Sequence, residues 1–150
     1  MDDVATAMFR GSGITREQIT AEETPCVRYG EIYTRYDIWF DQCISYTNES
    51  SIQIKKYIEH GGIIFAITGE SAEDIAKSST YIGHERCLAG GDMVVMRHTQ
   101  VPKYLSYALS TSNAREQESR GMVKSKVVRS SIPALKRLAI PIPPLAEQER

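Results

Sequence analysis

The chain has 150 residues, 41% of them hydrophobic and 25% charged, with a formal net charge of −1. This is an ordinary globular composition, long enough for one domain with a real core. No apolar run approaches the ~20 residues of a membrane helix, and the acidic start MDDVATAMFR lacks a signal-peptide core, which points to the cytoplasm and to no membrane partner.

Residues 5–9 predict a short strand. A Gly-Ser-Gly loop follows, and then Thr15 with Gln18 three residues on, a capping-box pattern that predicts a short helix start. The stretch 26-CVRYGEIYTRYDIWF-40 is rich in β-branched and aromatic residues and predicts two short strands around a turn, with Gly30 at a bulge or a close backbone approach. Residues 41–51 read as a loop with some strand, and 53–62 as one or two helical turns closed by glycine.

The run 63-IIFAITGES-71 is continuously apolar before its glycine turn. Continuous apolarity, as opposed to alternation, predicts a strand buried on both faces. Residues 72–83 start helix-like and then break. Residues 90–98 predict a second buried strand, entered by a glycine pair. After Pro102, helical spacing runs from 103 to 121, and Gly121 fits the position just past a helix. A basic loop, 122–131, follows. Ser131 caps a short helix through Leu135 with Pro133 in its first turn. Alternation of Leu138, Ile140 and Ile142 predicts a last strand, then a proline stop and a helix start. Helices and strands are interspersed without a regular βαβ rhythm. The expected fold is α+β: a mixed, twisted β-sheet of short strands with flanking short helices and long loops.

The chemistry of catalysis is largely missing. Gly11-Ser12-Gly13 lacks the rest of a dinucleotide fingerprint, and no Gly-Lys-Ser/Thr follows Gly69-Glu70-Ser71. There is no nucleophile elbow. No two histidines stand at metal-binding helical spacing, and the three cysteines form no CxxC pair and read as reduced thiols in or near a core. Pro143-Pro144 lies between Ile142 and Leu145, which offer neither the hydrogen-bonding group nor the stacking ring that a base methyltransferase needs for a flipped base. A nuclease reading fails for want of a metal-binding carboxylate cluster. No catalytic residue and no metal site is assigned.

What remains is a binding surface. Residues 1–96 hold eight Lys+Arg against fifteen Asp+Glu, and residues 97–150 hold ten against four. Such a split suits a polyanion-facing side, unless the two halves interleave in space. Within the basic part, Lys124, Ser125, Lys126 and Arg129 stand in a loop whose short side chains let phosphates approach the backbone. The segment Arg28, Tyr29, Gly30, Tyr33, Thr34, Arg35, Tyr36 offers guanidinium donors for guanine and hydroxyls for phosphate or base; core packing is the other use of its tyrosines, and one of the three is expected inside. The turn Thr68, Gly69, Glu70, Ser71 ends a strand, where a loop can carry a reading group or be a plain β-turn.

The run Leu-Ala-Ile-Pro-Ile-Pro-Pro-Leu-Ala-Glu-Gln-Glu-Arg at 138–150 resembles the end of a target recognition domain in the specificity (S) subunits of Type I restriction–modification enzymes, where it leads into a long helix. Tyr29-Gly30-Glu31-Ile32-Tyr33-Thr34 is similar to that family's Tyr-Gly-Asp-Ile-Tyr-Thr segment. The glycine-opened strand 61–69, Gly90-Gly91-Asp92 and the loop 121–126 match in order and style. The resemblance covers nearly the whole chain. It implies a non-catalytic DNA reader. A complete specificity subunit of this kind has two recognition domains joined by two long antiparallel helices, each domain reading one half of a split target in double-stranded DNA. The helices set the gap and help dock methyltransferase (M) subunits. S-adenosylmethionine, ATP and magnesium belong to the methyltransferase and restriction (R) subunits, with no cofactor in this chain. On this reading residues 1–144 are the recognition domain and 145–150 the start of a spacer helix cut short. The chain then looks like a fragment, a designed single-domain protein or a half-size subunit. A rival reading is a degraded recognition domain that pairs with restriction–modification subunits as a protein-interaction module.

Overall fold

The computed structural model describes residues 1, 3–69, 77–111, 114, 117, 128–129 and 131–149, with the backbone alone at 68–69 and 128–129. Two mixed sheets of five strands make up most of it. In the first, β1 (Ala5–Arg10), β11 (Met93–His98), β7 (Ile63–Ala66), β9 (Ser78–Tyr81) and β4 (Trp39–Phe40) lie side by side in that order. All pairs are antiparallel except β4 with β9. In the second, the order is β2 (Ile19–Thr20), β5 (Ser45–Thr47), β3 (Thr24–Val27), β10 (Cys87–Ala89) and β6 (Tyr57–Ile58), with β3 and β10 parallel. A two-stranded ladder joins β8 (Thr68–Gly69) to β12 (Val128–Arg129). The fold is therefore α+β as expected, with the strands divided between two sheets.

Strand β7 shows why. Its side chains alternate between two cores, as the pleat requires. Ile64 and Ala66 join Met93 and Val95 of β11 in a core shared with Val27, Ile58, Cys87 and Ala89 of the second sheet. Ile63 and Phe65 turn the other way, onto Leu105 and Leu109 of helix α2 (Pro102–Leu109) and Leu135 of helix α3 (Ile132–Lys136). Ile63, Ile64 and Phe65 are fully buried, each stabilising the fold by about 1.5–3 kcal/mol. The layers are thus helices, first sheet, second sheet. All three cysteines are buried and free of disulfides, and burial pushes the Cys26 thiol up to about 12.

Three expectations are corrected. Residues 26–40 hold two strands, β3 and β4, but the segment between them is helix α1 (Tyr29–Thr34), not a turn, and Gly30 sits in its first turn. Its signal was Glu31, whose Oε1 accepts the Arg28 backbone N–H at 2.8 Å, the return bond of a capping box. Residues 53–62 form no helix; Tyr57–Ile58 is strand β6. Thr15 and Gln18 do make their box, over a single 3-10 turn. Residues 138–142 form no strand, and Pro141 has no N–H to give a ladder. Helix α4 (Leu145–Gln148) follows. Gly121 and the helix-like 72–76 lie outside the described residues.

Candidate nucleic-acid interface

Several chain segments meet at one rim of the two sheets. The Gly11 N–H donates to the Met93 carbonyl at 3.0 Å, and the Ser12 N–H to Ala89 at 3.1 Å. The Gly90 N–H donates to Val27 at 2.8 Å, and the Ile67 N–H to Asp92 at 3.1 Å. These bonds place the ends of β1, β3, β7 and β10 beside the start of β11. The approach is close enough to need glycine: a Cβ at Gly11 would stand 1.9 Å from the Gly90 oxygen. Asp92 turns the chain into β11 with φ +57°, a left-handed conformation that non-glycine residues seldom take.

Gly13, Ile14, Arg28, Tyr29, Gly91 and Asp92 line a cleft of about 180 Å³ at this rim. Helix α1 presents the first side chains to it. Glu31 fixes that helix by holding the Arg28 N–H and by accepting the Ser45 hydroxyl from β5. Tyr29, 37% exposed, meets the ring of Tyr33 edge-on at 6.5 Å. Lys77 donates to the Tyr33 carbonyl at 3.4 Å, tying α1 to the chain entering β9. The Thr34 hydroxyl donates to the Gly30 carbonyl at 3.0 Å, which leaves it occupied with its own helix, and Arg35 is exposed. Tyr36 is corrected from DNA contact to core residue: it is 6% exposed, stacks on Phe40 at 4.1 Å, and its hydroxyl accepts the Ile44 N–H at 3.0 Å.

Two of the three expected contact regions also adjoin. Thr68 pairs with Arg129 and Gly69 with Val128, so the residues that flank the 70–76 and 118–127 segments stand side by side. Glu70, Ser71, Lys124, Ser125 and Lys126 lie outside the described residues. Sequence reasoning assigned no contact to Asp92, although the Gly90-Gly91-Asp92 run drew notice. In the cleft, Arg28 carries the paired donors that suit guanine, and Asp92 an acceptor that suits the cytosine amine. Among the described residues no group of three or more His, Cys, Asp or Glu is placed to hold a metal, and no helix is long and apolar enough to cross a membrane.

No family model and no curated protein matches the chain. Solved structures do. The S subunit of a Type I restriction–modification system from M. genitalium superposes with a TM-score of 0.57 at 16% identity, covering 99% of this chain and 34% of that one. The HsdS subunit from Thermoanaerobacter tengcongensis gives 0.58 at 15% identity, covering 99% and 33%. A structure concerned with complex assembly and conformational transition of the type I R-M system gives 0.58 at 13%, covering 98% and 34%. The chain spans about a third of the length of each, and over that third it has the fold of Type I restriction–modification S subunits.

Proposed function

We propose that this chain is a target recognition domain: a non-catalytic reader that binds double-stranded DNA at the rim and reads one half of a bipartite target. In a complete specificity subunit it directs methyltransferase and restriction subunits to that target, in the cytoplasm, with all cofactors held by those partners. The observation that carries the reading is the correspondence of fold with S subunits along 98–99% of the chain. The cleft supports it, since Arg28 and Asp92 are residue types that read base edges. The site assignments at Tyr33, Arg35, Thr68–Ser71 and Lys124–Arg129 belong to the same proposal.

The test is selection of a randomised short duplex library by the chain at low salt, followed by sequencing. Enrichment of one motif of a few base pairs is the expected result. Binding without enrichment leaves a phosphate-gripping domain that reads sequence only with partners. Absence of binding overturns the DNA reading. In that case the protein-interaction reading gains, because Ile142 and Leu145 at the start of α4 are 38% and 52% exposed. Gel filtration with a methyltransferase subunit would then detect a complex.

A further inference from the structure

Phe9 gathers two cations. The Arg97 guanidinium carbon lies 5.1 Å from the centre of its ring and the Lys56 ammonium 5.8 Å. Topology brings these distant residues together. Strand β1 pairs with β11 so that Ala7 faces Arg97 and Phe9 faces Val95. Lys56 precedes β6, and its carbonyl accepts the Ala89 N–H at 2.7 Å; the Ala89 carbonyl in turn accepts the Ser12 N–H at the rim. Strands β1 and β6 are the outer strands of their sheets, so the cluster sits at the seam of two sheet edges, beside the Gly11–Gly13 flank of the cleft.

Arg97 is exposed and Lys56 half-buried, and among the described residues neither has a carboxylate within ion-pair distance. An aromatic face attracts each cation, but two like charges on one ring repel each other. Phe9 is packed against the core between the sheets, so its ring is a fixed seat for the two cations. An anion from outside completes the arrangement. A phosphodiester suits it, because arginine grips two oxygens and lysine serves as a point charge.

We propose that Lys56 and Arg97, seated on Phe9, clamp a backbone phosphate of DNA beside the cleft. This rests on the DNA-binding reading above and adds a contact to it that lies outside the basic loop. The alternative use of the two cations is to shield an apolar ring and a sheet edge from other chains.

The experiment measures duplex affinity against salt for the whole chain and for Lys56→Gln/Arg97→Gln. Each phosphate contact adds about −0.9 to the slope of log affinity on log salt. A clamp on one phosphate requires the slope to become shallower by roughly 1 in the double variant. Lys55→Gln is the control: this exposed neighbour donates to the Ile52 carbonyl at 3.1 Å and should leave the slope unchanged. An unchanged slope in the double variant overturns the clamp while leaving DNA binding intact, and an equal shift from Lys55→Gln overturns it as well. A wild-type chain that binds no duplex fails the functional reading itself. Should the double variant not fold, acetylation of Lys56 in the wild-type chain decides: protection by duplex supports the clamp, and equal labelling with and without duplex overturns it.

Discussion

Tyr33 and Tyr36 stand three residues apart and do opposite work. Tyr33 sits on α1 within reach of the cleft-lining Tyr29, whereas Tyr36, past the end of the helix, is locked into the core by Phe40 and the Ile44 amide. Composition alone could announce that one of three tyrosines would be buried. Which one depended on where α1 ends, and that is a tertiary fact. His98 is a second residue whose role depends on its surroundings. Its Nε2 donates to the Gly61 carbonyl at 2.7 Å, and its Nδ1 accepts the Gln100 N–H at 3.0 Å. Only the neutral ring can do both. Burial, the largest cause, holds its pKa below the ordinary 6.5. The unfolded chain therefore binds the proton first as pH falls below 6.5, and folding stability should drop through that window. Thermal melts between pH 7.5 and 5.5 should show a steeper loss in the wild-type chain than in His98→Gln. Parallel curves would mean that His98 does not carry the dependence.

At the scale of elements, strands β7 and β11 were legible because a run of apolar residues with no alternation has one low-energy home, between two packed layers. Helix α3 was legible from its cap: the Ser131 hydroxyl accepts the Ala134 N–H at 3.3 Å. Strand β6 was not legible, since it owes its existence to a neighbour and not to its own composition. Helix α4 is the instructive case. Four residues cannot hold a helix alone, and its anchor is a polar side chain. Gln148, 6% exposed, accepts the Val101 N–H at 2.9 Å and donates to the carbonyl of Pro143 and the side chain of Gln100, both at 2.8 Å. Gln148→Ala should leave the half-buried Val101 amide without its partner, at a cost of about 1 kcal/mol. Hydrogen exchange at Val101 should accelerate well beyond that in β7. Unchanged exchange would show that the prolines alone seat α4.

At the scale of the molecule, the division between an acidic first part and a basic second part does not survive folding as two faces. β11, from the boundary between them, lies between β1 and β7, and Arg97 shares a ring with Lys56 from the acidic part. The recognition hypothesis was legible from ordered motifs, but the cleft was not, because Gly13, Arg28 and Asp92 meet only through the backbone bonds of the rim. That geometry separates two kinds of contact. Loss of a residue that grips phosphate weakens binding to every duplex and flattens its salt dependence, whereas loss of one that reads a base edge costs affinity mainly on the preferred sequence. Lys124→Ala/Lys126→Ala should therefore shift the salt slope by roughly 2 on preferred and scrambled duplexes alike. Arg28→Ala should cost about 1–3 kcal/mol on the preferred duplex and far less on the scrambled one. Salt titrations of both variants on both duplexes check this. If Arg28→Ala weakens the two duplexes equally, the cleft is one more phosphate contact, and base reading must come from residues elsewhere in the chain.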